Sequence, residues 1–150
     1  GDDTGPNPTD RGKLGSKHHV LTDARGLPLN VNLTGANVPE INEVLDLVDS
    51  APEVVTAKGE PRQNPDELYG DRAYDSEPHR EEMRQRNIVP RFAKRGMPHR
   101  SGPGVYPWVV GRTVSWLHSF RRLRLRTDRN GEVQEAFVTL ASAIICTWFL

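Results

Sequence analysis

The chain has 150 residues, 35% of them hydrophobic, which is enough to bury one sizeable core, so a single domain is expected. Its 20 Lys and Arg balance 20 Asp and Glu, and the net charge therefore selects no class of partner. The single cysteine, Cys146, excludes an internal disulfide and a cysteine-rich zinc site and fits a reducing, cytoplasmic compartment.

Residues 1–16, GDDTGPNPTDRGKLGS, are dense in Gly, Pro, Asp and Thr and are expected to form an irregular arm. The chain begins at Gly1 rather than Met, and part of the function is expected upstream. KHHVLT, the turn DARG and LPLNVNL then read as a hairpin. Leu27, Leu29, Val31 and Leu33 alternate with Pro28, Asn30 and Asn32, the period of a half-buried strand, and Pro28 favours an edge or a strand start. Adjacent His18 and His19 must point to opposite faces and cannot share one metal ion; one is expected buried and one exposed.

NVPEINEVLDLVDSA predicts a helix with Ile41, Val44, Leu45 and Val48 on one face and Asn37 as cap. A polar loop follows over 52–66. ELYGD reads as a short strand, DSEPHREEMRQRN as a helix capped by Asp75 or Ser76, and NIVPRF as a strand before the loop KRGMPHRSGPG. YPWVVGRTVSWLHSF, 106–120, has helical spacing of Val110, Val114, Trp116, Leu117 and Phe120. A second stripe of Gly111, Ser115, His118 and Arg122 is polar. Glycine inside a helix costs about 1 kcal/mol against alanine, so Gly111 either replaces another residue or permits a close backbone approach. An Asn-Gly turn leads into the apolar tail AFVTLASAIICTWFL. Its 15 residues fall short of the roughly 20 that span a bilayer, and the spacing of Phe137, Leu140, Ala141, Ile144, Ile145 and Trp148 predicts a packed helix, a shortened membrane span being the alternative. The order of hairpin, helix, strand, helix, strand, helix, helix predicts a mixed α/β sheet flanked by helices.

Charge is segregated. Acids outnumber bases from Val38 to Met83, whereas residues 84–126 hold eleven Arg or Lys and no Asp or Glu. Such a run is a candidate footprint for a polyanion, or otherwise a solvated basic face. FRRLRLR, with TDR behind it, sets Arg121, Arg122, Arg124, Arg126 and Arg129 near Trp108, Trp116 and Phe120; guanidinium forks suit phosphate oxygens, while the tryptophans read as core. Asp71 ends a short strand, where a carboxylate can coordinate Mg²⁺ or simply cap a turn.

Three segments in order, GPNPTDRGKLGSKHHVLTDARGLPLNVNLTGAN, LYGDRAYDS and YPWVVGRTVSWLHSFRRLRLR, resemble the catalytic domain of bacterial insertion-sequence transposases with an acidic metal-binding triad. The resemblance covers nearly the whole chain, as one partial catalytic domain over 1–150. It implies a ribonuclease-H-like fold lacking its first strand, and two Mg²⁺ or Mn²⁺ ions that cleave transposon ends and transfer strands. It also implies DNA as partner, allows a homo-oligomer on that DNA, and places the protein in the bacterial cytoplasm on the nucleoid, away from membranes. Asp71 matches the second carboxylate of the triad, as catalytic and metal-binding residue. Arg112, Arg121, Arg122, Arg124 and Arg126 match the DNA-contacting region. In such proteins the first carboxylate precedes the TGPNPTDRG segment. The third is a glutamate in a VVER-like motif, and here VVGR puts Gly111 in its place; Pro107, Pro39, Glu40 and Ala73 also depart from the pattern. With Asp71 alone, most of the charge that holds two divalent ions is missing, and an incomplete, inactive copy is expected. A DNA-binding protein without chemistry and a fragment without function of its own are the alternatives.

Overall fold

The alternation read over the hairpin builds the longest strands. In the computed structural model, which describes residues 1–56, 58–93 and 107–150, β2 (Leu14–Thr22) pairs antiparallel with β3 (Pro28–Gly35). Pro28 starts its strand, where a missing N–H does least harm. Asp23 organises the turn: its carboxylate accepts from the N–H groups of Arg25 and Leu27, and Gly26 takes φ 86°, which a β-carbon would strain. The arm is turn-rich but anchored, because β1 (Gly5–Pro6) pairs antiparallel with Leu14 and Gly15.

The chain forms two compact units. The first joins 1–38 to 109–150; the second is 39–108. In the first, α3 (Pro107–Ser119, from Val109), the single turn α4 (Arg121–Arg124) and α5 (Gly131–Thr147) enclose a core of Leu117, Leu123, Val138, Ala141 and Ile145. Val20, Val31, Leu33, Trp116, Phe120 and Phe137 pack against it, with α5 lying along β3. The inward stripe of α3 is Val109, Thr113 and Leu117, one step round from the expected one, and Val110 is 38% exposed. The rotation follows from Thr113, whose hydroxyl donates to the Gly26 carbonyl at 2.6 Å and draws that face onto the hairpin turn. On α5 the inward face is Gln134, Val138, Ala141 and Ile145; Leu140, Ile144 and Trp148, expected in the packed stripe, are exposed. No described helix is long and apolar enough to cross a membrane. Asn130 caps α5 by accepting from Glu132 N–H at 2.8 Å, so the Asn-Gly pair starts a helix rather than a hairpin.

The second unit begins with a 3₁₀ turn at Glu40–Glu43 and continues into α1 (Val44–Asp49), shorter than the predicted helix and preceded by Pro39 rather than Asn37. The stretch expected as a plain loop contains β4 (Val54–Val55) paired with β5 (Pro61–Arg62). Then β6 (Glu67–Gly70), a 3₁₀ turn at Arg72–Tyr74, α2 (Glu77–Gln85) and β7 (Val89–Phe92) make a βαβ crossover with parallel strands. Val44, Leu47, Val48, Ala51, Leu68, Met83, Ile88, Phe92 and Ala93 are its buried hydrophobic residues among those described. The mixed α/β class is as expected. The described strands, however, fall into three separate sheets rather than one, because each pairs only with strands near it in sequence. The expected loop KRGMPHRSGPG lies outside the described residues.

The two histidines do point opposite ways. His19 is buried, with Nε2 2.7 Å from Thr34 Oγ1. His18 is half-buried rather than exposed, edge-on to His118 with ring centroids 5.8 Å apart. Burial, then the neighbouring His118, His19 and Arg126, push its pKa from 6.5 down to about 4. As pH falls, the unfolded chain therefore takes up this proton first. Stability from His18 is complete above pH 6.5 and is lost toward pH 4, by up to about 3 kcal/mol. Urea unfolding at pH 7 and pH 4.5 should show the loss, and His18→Gln should flatten it.

Candidate functional site

Asp71 follows β6 directly, and Gly70 makes that geometry reachable: a β-carbon there would sit 2.9 Å from the Phe92 ring and 3.4 Å from Tyr74. The exposed Asp71 side chain accepts from Ala73 N–H at 2.8 Å and caps the 3₁₀ turn. Tyr74, on that turn, has its pKa pushed up to about 12, first by burial and then by the charges of Asp71, Glu40 and Glu43, so its hydroxyl stays protonated. Asp75 does not cap α2, which is preceded by Ser76. It instead pairs with buried Arg80 at 2.7 Å, because Arg80 also donates to the carbonyls of Pro90 and Phe92 and needs a counter-charge there. Arg80 thus ties α2 to β7 behind the Asp71 turn, a role that spacing did not reveal; the (i, i+5) Asp–Arg pair was its only sequence trace.

Gly111 is exposed on α3, and a β-carbon there would meet no described neighbour within 4 Å. Of the two explanations for a glycine inside this helix, close backbone approach finds no support among the described residues. Asp71 belongs to the second unit and Gly111 to the first. Among the described residues, no group of three or more His, Cys, Asp or Glu is arranged to hold a metal ion. One exposed carboxylate, with an oxygen already engaged by a backbone N–H, does not make the donor set that a pair of hard divalent cations requires. The described residues do not fit two Mg²⁺ or Mn²⁺ ions.

The basic run divides sharply. Arg84 pairs with Glu77 and Glu81, Arg86 with Asp49 and Glu82, and Arg91 with Glu67, so this part of the run is neutralised within the second unit. In the first unit, Arg112 donates to the Arg25 carbonyl and lies 4.8 Å over the Trp116 ring, which buries its Nε. Arg126 is spent on backbone carbonyls and Ser16. Arg122 reaches Asp128 at 3.6 Å and covers the Phe137 ring at 4.6 Å. Arg121 and Arg124 are exposed, and neither forms an ion pair among the described residues. Of the five arginines matched to DNA contact, these two keep open guanidinium groups. Trp108, expected in the core, is 52% exposed, as Val109 takes the inward position beside it.

Residues 2–146 match the family model of the transposase DDE domain, and the chain belongs to that family of DNA-transposition proteins. Among individual relatives, a protein of Burkholderia cepacia named as a transposase for insertion sequence element IS402 is 52% identical over 143 residues, covering 95% of this chain and 68% of that protein. No solved structure matches the chain.

Two substitutions test the local geometry. Gly111→Ala should raise unfolding stability by about 1 kcal/mol, since the helix gains and nothing is displaced; urea midpoints measure it. Arg80→Ala should cost about 3–5 kcal/mol, because it leaves the Asp75 carboxylate and two carbonyls without their donor. The same unfolding curves measure the loss.

Proposed function

We propose that this chain is a ribonuclease-H-like transposase domain that holds transposon-end DNA through Arg121 and Arg124 but, with Gly111 at the glutamate position, lacks a carboxylate needed for metal-dependent cleavage. The order of hairpin, helix, strand, helix, parallel strand and helix supports the fold. Open guanidinium groups on a one-turn helix support the DNA contact, because such groups neutralise phosphates without reading bases. The observation that carries the proposal is Gly111. In a chain 52% identical to a protein named as an insertion-sequence transposase, it stands in VVGR where the resemblance places glutamate, and its surroundings leave room for a side chain.

Metal ions, when bound in a complete site, supply the nucleophile and stabilise the leaving oxygen in phosphoryl transfer. Of the two triad positions that the resemblance places within these residues, Asp71 keeps its carboxylate and Gly111 has none, and Asp71 alone concentrates too little negative charge for that task. The chain's own residues are therefore assigned to binding and orienting DNA. A DNA-binding protein that keeps the basic surface without catalysis is the second reading, and the same arginines support it.

The two readings separate on one variant. Full-length protein with Gly111→Glu should gain Mg²⁺- or Mn²⁺-dependent nicking of its terminal DNA while the Gly111 protein shows none. Continued absence of nicking after that substitution would remove the lost-glutamate account and leave DNA binding alone.

A further inference from the structure

Arg126 was matched to DNA by its position in the basic run, yet its guanidinium faces inward. Its Nη2 donates to the Asp2 carbonyl at 2.5 Å, and its Nη1 to the Asp3 carbonyl at 3.2 Å and to Ser16 Oγ. Its Nε donates to the Asp128 carbonyl at 3.0 Å. The Ser16 hydroxyl in turn donates to the Asp3 carbonyl at 2.6 Å, and Asp2 N–H donates to the Arg129 carbonyl at 3.0 Å. One side chain thereby binds three segments: the arm at 2–3, strand β2 at Ser16, and the linker from α4 to α5.

That linker has no regular structure from Leu125 to Arg129, and Leu125 is 59% exposed. The helix before it is a single turn, too short to hold its shape without external anchors. On the N-terminal side, buried Leu123 and the Gln134 side chain, which donates to the Arg122 carbonyl at 3.3 Å, supply them. On the exit side, Arg126 ties the linker to the arm and to β2, and the Asp2 carboxylate accepts from Gly131 N–H at 3.4 Å just beyond it.

We propose that Arg126 is a positioning residue for DNA binding: a planar fork that locks the arm and linker together and so fixes Arg121 and Arg124 toward the phosphate backbone. The role depends on fork geometry and not on charge. Lysine carries the same charge but cannot present several donors in one plane to separate carbonyls. This inference rests on the DNA-binding reading above.

The test measures binding of a labelled DNA duplex between 50 and 200 mM salt, together with amide exchange at Asp2. Each phosphate contact contributes about 0.9 to the salt slope, so loss of one changes relative affinity by about 3.5-fold across that range. Arg121→Ala and Arg124→Ala should each flatten the slope by about that amount and leave Asp2 protected. Arg126→Lys should weaken binding as much as Arg126→Ala, and both should expose the Asp2 amide to exchange. In an Arg121→Ala, Arg124→Ala background, Arg126→Lys should cause no further loss. Ser16→Ala, which changes no charge, should shift binding and protection in the same direction and serves if an Arg126 variant does not fold. Wild-type affinity and slope in Arg126→Lys would overturn the proposal by showing a charge contact, as would an undiminished Arg126→Lys penalty in the double-alanine background. If the wild-type chain shows no salt-dependent DNA binding, the underlying reading fails. Asp2 exchange then still reports separately whether the fork holds the arm.

Discussion

The first unit depends on one long-range burial: α5 against the β2–β3 hairpin. Val138, Ala141 and Ile145 meet Val20, Val31 and Leu33 across more than a hundred residues of chain. Joining segments so distant costs loop-closure entropy, although that cost grows only slowly with separation. Apolar area removed from water offsets it. Once this contact is made, α3 has a floor to lie on, Thr113 can reach the Gly26 carbonyl, and the turn α4 is held through Leu123. The arginines therefore owe their directions to a hydrophobic contact in which none of them takes part.

Guanidinium groups complete the framework in both units. Arg80, Arg112 and Arg126 each donate to backbone carbonyls that lie at strand ends, turns or linkers, where no regular partner exists. A fork with five donors suits this task, since several acceptors in different segments can be satisfied together. Such use explains why few of the basic groups in the described part of the 84–126 run stay open. Among the described residues of that run, most arginines are engaged by acids or carbonyls, and Arg121 and Arg124 on α4 are left without an ion pair.

Gly111 and Gly70 show how the same residue type carries opposite meanings. At Gly70 the Phe92 and Tyr74 rings occupy the space of a side chain, and glycine is a packing requirement that puts Asp71 at the strand end. At Gly111 that space is empty, so glycine there weakens a helix without serving the packing around it. A position that is costly for folding and idle for packing is where a lost functional side chain would be sought.

Much of this protein was readable in one dimension. The period-two alternation at 27–33 predicted β3, the Asp23 to Gly26 turn predicted the hairpin, and helical spacing found α2, α3 and α5, because these patterns depend on neighbours a few residues away. The three motifs were sufficient to identify the family. What the sequence could not settle was the assignment of charges and helix faces. Arg86 meets Asp49 across 37 residues and Arg126 meets Asp2 across 124, so identical letters in a basic run separate into paired, clamped and open groups only when distant segments come together. For the same reason the inward face of α3 fell one step from its predicted place: a single hydroxyl and a carbonyl 87 residues away decide it. Local chemistry determined the elements and the family, and tertiary packing decided which side chains remain available to act.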